Sequence, residues 1–201
     1  HARIPVIISH EHSFIAMRSS ICRKSQIRSI NYYTVCRPFS TLRSGKKLLL
    51  KGNHDYWWTS VSKMRARYPG LQFIQNDFVL FGALAICGSR GWKVPSSEDF
   101  TPEDQKIYNR ELLRLDMGLA GAVRAGAREI VVALHFPPIF HEDEENGYTE
   151  LFRKYPVVQV LFGHIHGENN IVMFEGEKEG VRYKLCSCDT QGFMPVLVGE
   201  C

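Results

Sequence analysis

No aspartate occurs in the first 54 residues of this 201-residue chain; the first is Asp55. Acid of any kind is scarce there. Residues 1–47 hold nine Lys and Arg against the single Glu11, a net +8, whereas the rest holds 16 basic and 20 acidic residues, a net −4. Such a split can mark an arm for nucleic acid or anionic membrane. Here the basic residues are scattered among Ile, Phe, Tyr and Cys, and they form no recognisable nucleic-acid module. Apolar runs approaching the roughly 18 residues of a membrane span are also absent, and so is a charged-then-apolar leader. Repeats and low-complexity tracts are missing too. The six cysteines (Cys22, Cys36, Cys87, Cys186, Cys188 and Cys201) contain no C-x-x-C, and Cys186 and Cys188 are too close for an ordinary bridge or a common zinc knuckle. That usage points to a reducing compartment with buried or idle thiols, and so to a cytoplasmic protein. Disordered, collagenous and membrane-spanning classes are excluded.

What is present is the composition of one ordinary domain, or at most two small ones: 44% hydrophobic, 11% aromatic and 23% charged. From Lys47 onward the pattern alternates between strands and helices. Residues 47–51 read as a buried strand stopping at Gly52, and residues 59–68 as a short helix ended by Pro69-Gly70. Strands follow at Phe73-Ile74, Phe78–Phe81 and Ala83–Cys87. Thr101 then offers an N-cap, Pro102 the first helical position, and Glu103 and Asp104 acid in the first turn. Tyr108, Leu112, Leu115, Leu119 and Val123 predict one apolar face of that helix, with Gly126 as its stop. Strands are expected at Glu129–Leu134 and Val157–Phe162, a helix near 148–155, and β-rich segments near 170–176, 181–188 and 195–198. The acidic stretch 141–146 reads as a mobile loop. The class is α/β. Residues 1–46 fit less well: Pro5–Ile8 reads as a strand, and the rest has neither period nor caps.

Three short stretches each follow an expected strand: Gly52-Asn53-His54-Asp55, His135, and Gly163-His164-Ile165-His166-Gly167. Functional groups in open α/β sheets gather outside the carboxyl ends of strands. One carboxamide, one carboxylate and four imidazoles are thus delivered toward one edge. Taken singly, each stretch has a plainer reading. Gly, Asn and Asp favour turns for backbone reasons, a lone histidine after a strand is commonly a core residue, and G-H-x-H-G is also a polar turn. As chemistry, the Asn53 oxygen is a hard neutral ligand and His54 suits a phosphoryl or leaving-group oxygen, with Asp55 fixing its tautomer. The two histidines of 163–167 suit one ion jointly or two neighbouring ions.

The stretches KGNHDYWW, LHFPP and FGHIHG resemble, in order and spacing, three signature blocks of calcineurin-like metallophosphoesterases. The likeness spans roughly residues 45–198, and GKKLLLKGNHDYWW and AICGSRGW are further similar to a bacterial group of predicted phosphohydrolases. It implies two β-sheets packed as a sandwich and flanked by helices, with a two-metal site at one edge. It also implies that Asn53, His135 and His164 are ligands of one metal and His166 of the other. His54 would stabilise or protonate the departing oxygen, and Asp55 would be its orienting partner. The implied reaction is metal-dependent hydrolysis of a phosphoester by in-line attack of a metal-bound hydroxide. Imidazole-rich ligation suits Mn, Fe, Zn, Ni or Co better than Mg. The partner is a phosphoester substrate of unassigned identity.

The family pattern also has an upstream D-x-H and G-D-x-x-D/N, and without Asp in residues 1–54 neither exists in standard form. His10-Glu11-His12 is the one stand-in, with Glu11 in place of the bridging carboxylate or the histidines in place of D-x-H. Asn53, His135, His164 and His166 are all neutral, so they do not offset the repulsion of two dications about 3.5–4 Å apart. Division at residue 47 is therefore expected: an atypical basic segment 1–46, truncated or misread in frame, and a metallophosphoesterase-like domain 47–201. The expectation for this chain is one weakly held ion and little or no turnover. The alternative function is a non-catalytic scaffold or binding module on the same fold.

Overall fold

The computed structural model describes residues 3–8, 13–16, 47–165, 173–187, 189–190 and 196–200. The stand-in His10-Glu11-His12, the histidine His166 and the thiol Cys188 lie outside the described residues. Two sheets stack face to face. The first has the order β11-β1-β2-β3-β4 and the second β5-β6-β7-β8-β10-β9. In the first, β1 (Arg3–Ile8), β2 (Ser13–Ala16), β3 (Lys47–Leu50) and β11 (Val196–Glu200) pair antiparallel, while β4 (Gln72–Ile74) joins β3 in parallel. In the second, β6 (Leu84–Ser89), β7 (Glu129–Leu134), β8 (Val157–Phe162) and β10 (Val181–Leu185) run parallel. Antiparallel β5 (Phe78–Phe81) and β9 (Gly176–Lys178) form its edges.

The layers follow from the period of two in the strands. Leu48 and Leu50 point inward with Ile74 and meet Ile86, Val131, Ala133 and Leu161 of the second sheet. Leu49, between them, points outward with Phe73 to pack on Met64 of α1 (Val61–Arg67) and on Trp58. On the far side, Ile130, Val132, Leu134, Val160 and Phe162 meet Leu115 and Leu119 of α2 (Pro102–Arg124) and Phe152 of α3 (Gly147–Lys154). The architecture is helix, sheet, sheet, helix: the two-sheet sandwich flanked by helices that the sequence resemblance implies. Among the described residues no helix is long and apolar enough to cross a membrane.

The local signals held where they were chemical. Thr101 Oγ1 accepts from Asp104 N–H at 3.2 Å, and Asp104 accepts in return from Thr101 N–H at 2.9 Å, closing a capping box. Three expectations need correction. The buried stripe of α2 runs through Tyr108, Glu111, Leu115, Gly118, Leu119 and Ala122, and Val123 is 41% exposed. Steps of three and four from Tyr108 reach Ala122, and the next residue has already turned away. The loop 141–146 is tied down: Lys178 donates to the Glu142 and Glu144 carbonyls at 2.8 Å each and pairs with Glu145 at 2.7 Å. Asn146 in the same loop caps α3, accepting from Tyr148 N–H at 2.9 Å. The expected β-rich segment at 170–176 reduces, among the described residues, to the start of β9 at Gly176. Cys87 and Cys186 are buried free thiols, and burial pushes each up to about 12.

Candidate metal centre

Three strands end beside one another and each is followed by a candidate residue. The turn after β3 carries Asn53, β7 ends one residue before His135, and β8 ends two residues before His164. The structure brings these three side chains together. His135 Nε2 lies 2.7 Å from Asn53 Oδ1 and 3.2 Å from His164 Nδ1. The two imidazole rings are 5.0 Å apart and steeply inclined, at 71°. His135 is almost wholly buried, at 1% exposure.

Backbone geometry accounts for the convergence. His135 N–H and Phe136 N–H both donate to the Arg90 carbonyl at 3.0 Å, and Gly163 N–H donates to the His135 carbonyl at 3.2 Å. The turn after β6 therefore holds the turn after β7, which in turn holds the turn after β8. His164 adopts φ 72°, the left-handed region that non-glycine residues rarely enter. The Phe136 ring lies 4.1 Å from the His164 ring. Strain of this kind costs about 1–3 kcal/mol and persists where the surroundings over-determine it.

The turn 52–58 is organised by its carboxylate. Asp55, buried, accepts from Gly52 N–H at 2.6 Å and from the Trp57 indole N–H at 2.9 Å. Tyr56 N–H donates to the His54 carbonyl at 2.9 Å and Trp58 N–H to the Asp55 carbonyl at 3.0 Å. Asp55 thus shapes the loop that presents Asn53. His54 is exposed, its ring 6.2 Å from that of Tyr56. Of the tryptophans, Trp58 is core, while Trp57 stays partly exposed.

Two donor atoms bound to one ion at about 2.0–2.1 Å each stand about 3 Å apart. The separations around His135 Nε2 match that, and one carboxamide oxygen with two imidazole nitrogens is an ordinary donor set for a first-row divalent ion. The residues present therefore fit one metal ion. Among the described residues no three His, Cys, Asp or Glu side chains are placed to hold a metal ion together; the set here is two histidines and an asparagine.

The protein is a helix-flanked α/β sandwich of two sheets, with a carboxamide and two imidazoles converging at the strand ends. A model of the calcineurin-like phosphoesterase family matches residues 23–168, well over half of the chain, and the chain belongs to that family. Its members generally use divalent metal ions. Comparison with curated proteins and with solved structures returned no match.

Arg90, whose carbonyl accepts from His135 and Phe136 N–H, lies in a loop that residue pattern alone does not mark as part of the site.

Proposed function

We propose that this site serves metal-dependent hydrolysis of a phosphoester, with Asn53, His135 and His164 holding one divalent ion. The observation that carries the reading is the convergence of the Asn53 Oδ1 and His164 Nδ1 atoms on His135 Nε2, at 2.7 and 3.2 Å. A divalent ion held there supplies Lewis acidity toward a phosphoryl oxygen and charge that offsets the transition state. Mn, Fe, Zn, Ni and Co suit the imidazole-rich set better than Mg. His166 is assigned as a further donor on the sequence pattern alone. The chain's own groups do the rest. Asn53 turns its carboxamide oxygen toward the ligand cluster, held by the loop that Asp55 closes. His135, buried and tethered through its N–H, keeps one ring nitrogen at the cluster. His54, exposed and next to Asn53 in sequence, is the group to pass a proton to the departing oxygen. A cytoplasmic location accompanies the reading.

A second reading, a non-catalytic scaffold or binding module, is favoured by a specific observation: every donor in the cluster is neutral, and residues 1–54 contain no Asp. Neutral donors hold one dication but do not balance two at bridging distance. For this chain the expected outcome is one ion and slow turnover at best.

The experiment is hydrolysis of p-nitrophenyl phosphate and bis-p-nitrophenyl phosphate with manganese, with metal content measured on the same samples. If turnover is detectable, His54→Ala lowers it by about 10²–10⁴ with metal content unchanged. Metal retained without any turnover selects the scaffold reading. A His54→Ala chain that folds but loses its metal contradicts the role given to His54.

A further inference from the structure

The turn after β6 touches the candidate site twice, once through its backbone and once through a row of flat side chains in mutual contact, the rings tilted by 48° and 35°. The Arg90 carbonyl receives both His135 N–H and Phe136 N–H, at 3.0 Å each. The Arg90 guanidinium lies 4.4 Å over the Trp92 ring, the Trp92 ring is 5.0 Å from Phe136, and Phe136 is 4.1 Å from His164. Guanidinium, indole, phenyl and imidazole thus form one continuous column ending on a candidate ligand. Trp92 is fixed at both its nitrogens: its N–H donates to the Tyr148 hydroxyl at 3.1 Å and its indole N–H to Asp104 at 2.8 Å.

At the other end of the column stands a buried charge. Glu111 of α2 is wholly buried, 3.8 Å from the Arg90 guanidinium and 2.6 Å from that of Arg114. Its Oε2 and the Arg90 Nε are both buried without a hydrogen-bond partner. Unsatisfied buried atoms each cost about 1–3 kcal/mol, and a buried ion pair is commonly no more stable than an apolar pair of like volume. Stability alone gives little reason for a guanidinium here. Orientation gives one, because the planar cation stacks on indole and is anchored from a different element.

We propose that Arg90, anchored by Glu111 and stacked on Trp92, is a positioning residue for the His135–His164 pair. Its carbonyl sets the height of His135, and its column sets the tilt of the His164 ring through Phe136. The geometry stands without any ion; only the use made of the two imidazoles rests on the phosphoesterase reading.

Arg90→Lys tests it, since lysine keeps a charge opposite Glu111 but loses the flat face that stacks. Three quantities are read: the melting temperature, the ring nitrogen resonances of the histidines in the ion-free chain, and cobalt(II) affinity with its ligand-field spectrum. The variant is expected to fold, to shift the His135 and His164 resonances, and to leave exposed His141 unmoved. Cobalt affinity is expected to fall about 10–100-fold, the usual effect of losing an outer-sphere partner. A folded Arg90→Lys chain with unchanged His135 and His164 resonances and unchanged affinity overturns the proposal. If that variant does not fold, Trp92→Phe decides by the same resonances: a shifted His164 supports the column, an unshifted one overturns it. Should the unaltered chain bind no cobalt, the functional reading fails while the resonances still decide this one.

Discussion

His164 combines a left-handed backbone, φ 72°, with a side chain that reaches His135 at 3.2 Å. Asparagine tolerates that backbone better than other non-glycine residues but cannot place an imidazole nitrogen beside His135. His164→Asn should therefore melt within a few degrees of the unaltered chain. Its affinity for manganese should drop by at least the about 10–100-fold that loss of an outer partner costs. A large loss of stability with affinity intact would mean that the ring is held for packing alone. How much of this was legible in the sequence differs from residue to residue. Asn53, His135 and His164 each follow a strand whose end is marked by local signals, so their common edge could be inferred. The sign of φ at His164 could not, because its glycine neighbours Gly163 and Gly167 are what a turn reading assigns the unusual backbone to. Nor could the 3.8 Å approach of Arg90 to the buried Glu111, which comes from across the fold.

At the scale of elements, agreement was closest where the cause is local. The expected strands Glu129–Leu134 and Val157–Phe162 are β7 and β8 residue for residue, and Thr101 caps α2 as its chemistry requires. The acidic loop 141–146 differs because its anchor, Lys178, comes from a strand more than thirty residues later. That anchor makes a pH prediction. Hydrogen bonding first by Lys178, then by Arg153 and Thr149, lowers the Glu145 carboxyl from 4.5 to about 2. A carboxyl lowered on folding contributes stability above its unfolded value, and the contribution is lost as pH falls through the folded one. The clamp should thus hold at pH 4.5 and release toward about 2. A carbon-detected titration of Glu145 checks this: a midpoint near 4.5 would show that the pair with Lys178 is not maintained in solution.

For the whole molecule, the sandwich depends on close approach both between neighbouring strands and between its two sheets, and Gly88 of β6 meets both. A Cβ there would stand 2.7 Å from the Ala133 carbonyl oxygen and 3.2 Å from Leu50 of the facing sheet. The first contact is with backbone, which cannot step aside as a side chain does. Gly88→Ala should destabilise by about 1–3 kcal/mol, the usual cost of overpacking, whereas Gly70→Ala, with open space around it, should be near neutral. Equal melting temperatures for the two variants would show that the sheets separate more easily than their packing implies. The layer arrangement itself was implied by family resemblance; strand order and the helix-sheet-sheet-helix stacking require tertiary contacts that periodicity does not encode.

Asn53, His135 and His164 are proposed to hold a single divalent ion where the ends of β3, β7 and β8 meet. Equilibrium dialysis against manganese, counting ions bound per chain, tests it most directly. The account predicts one ion per chain, lost in His135→Gln while the fold, followed by circular dichroism, is retained. Two ions per chain, no ion at all, or one ion whose binding survives both His135→Gln and His164→Asn would contradict it.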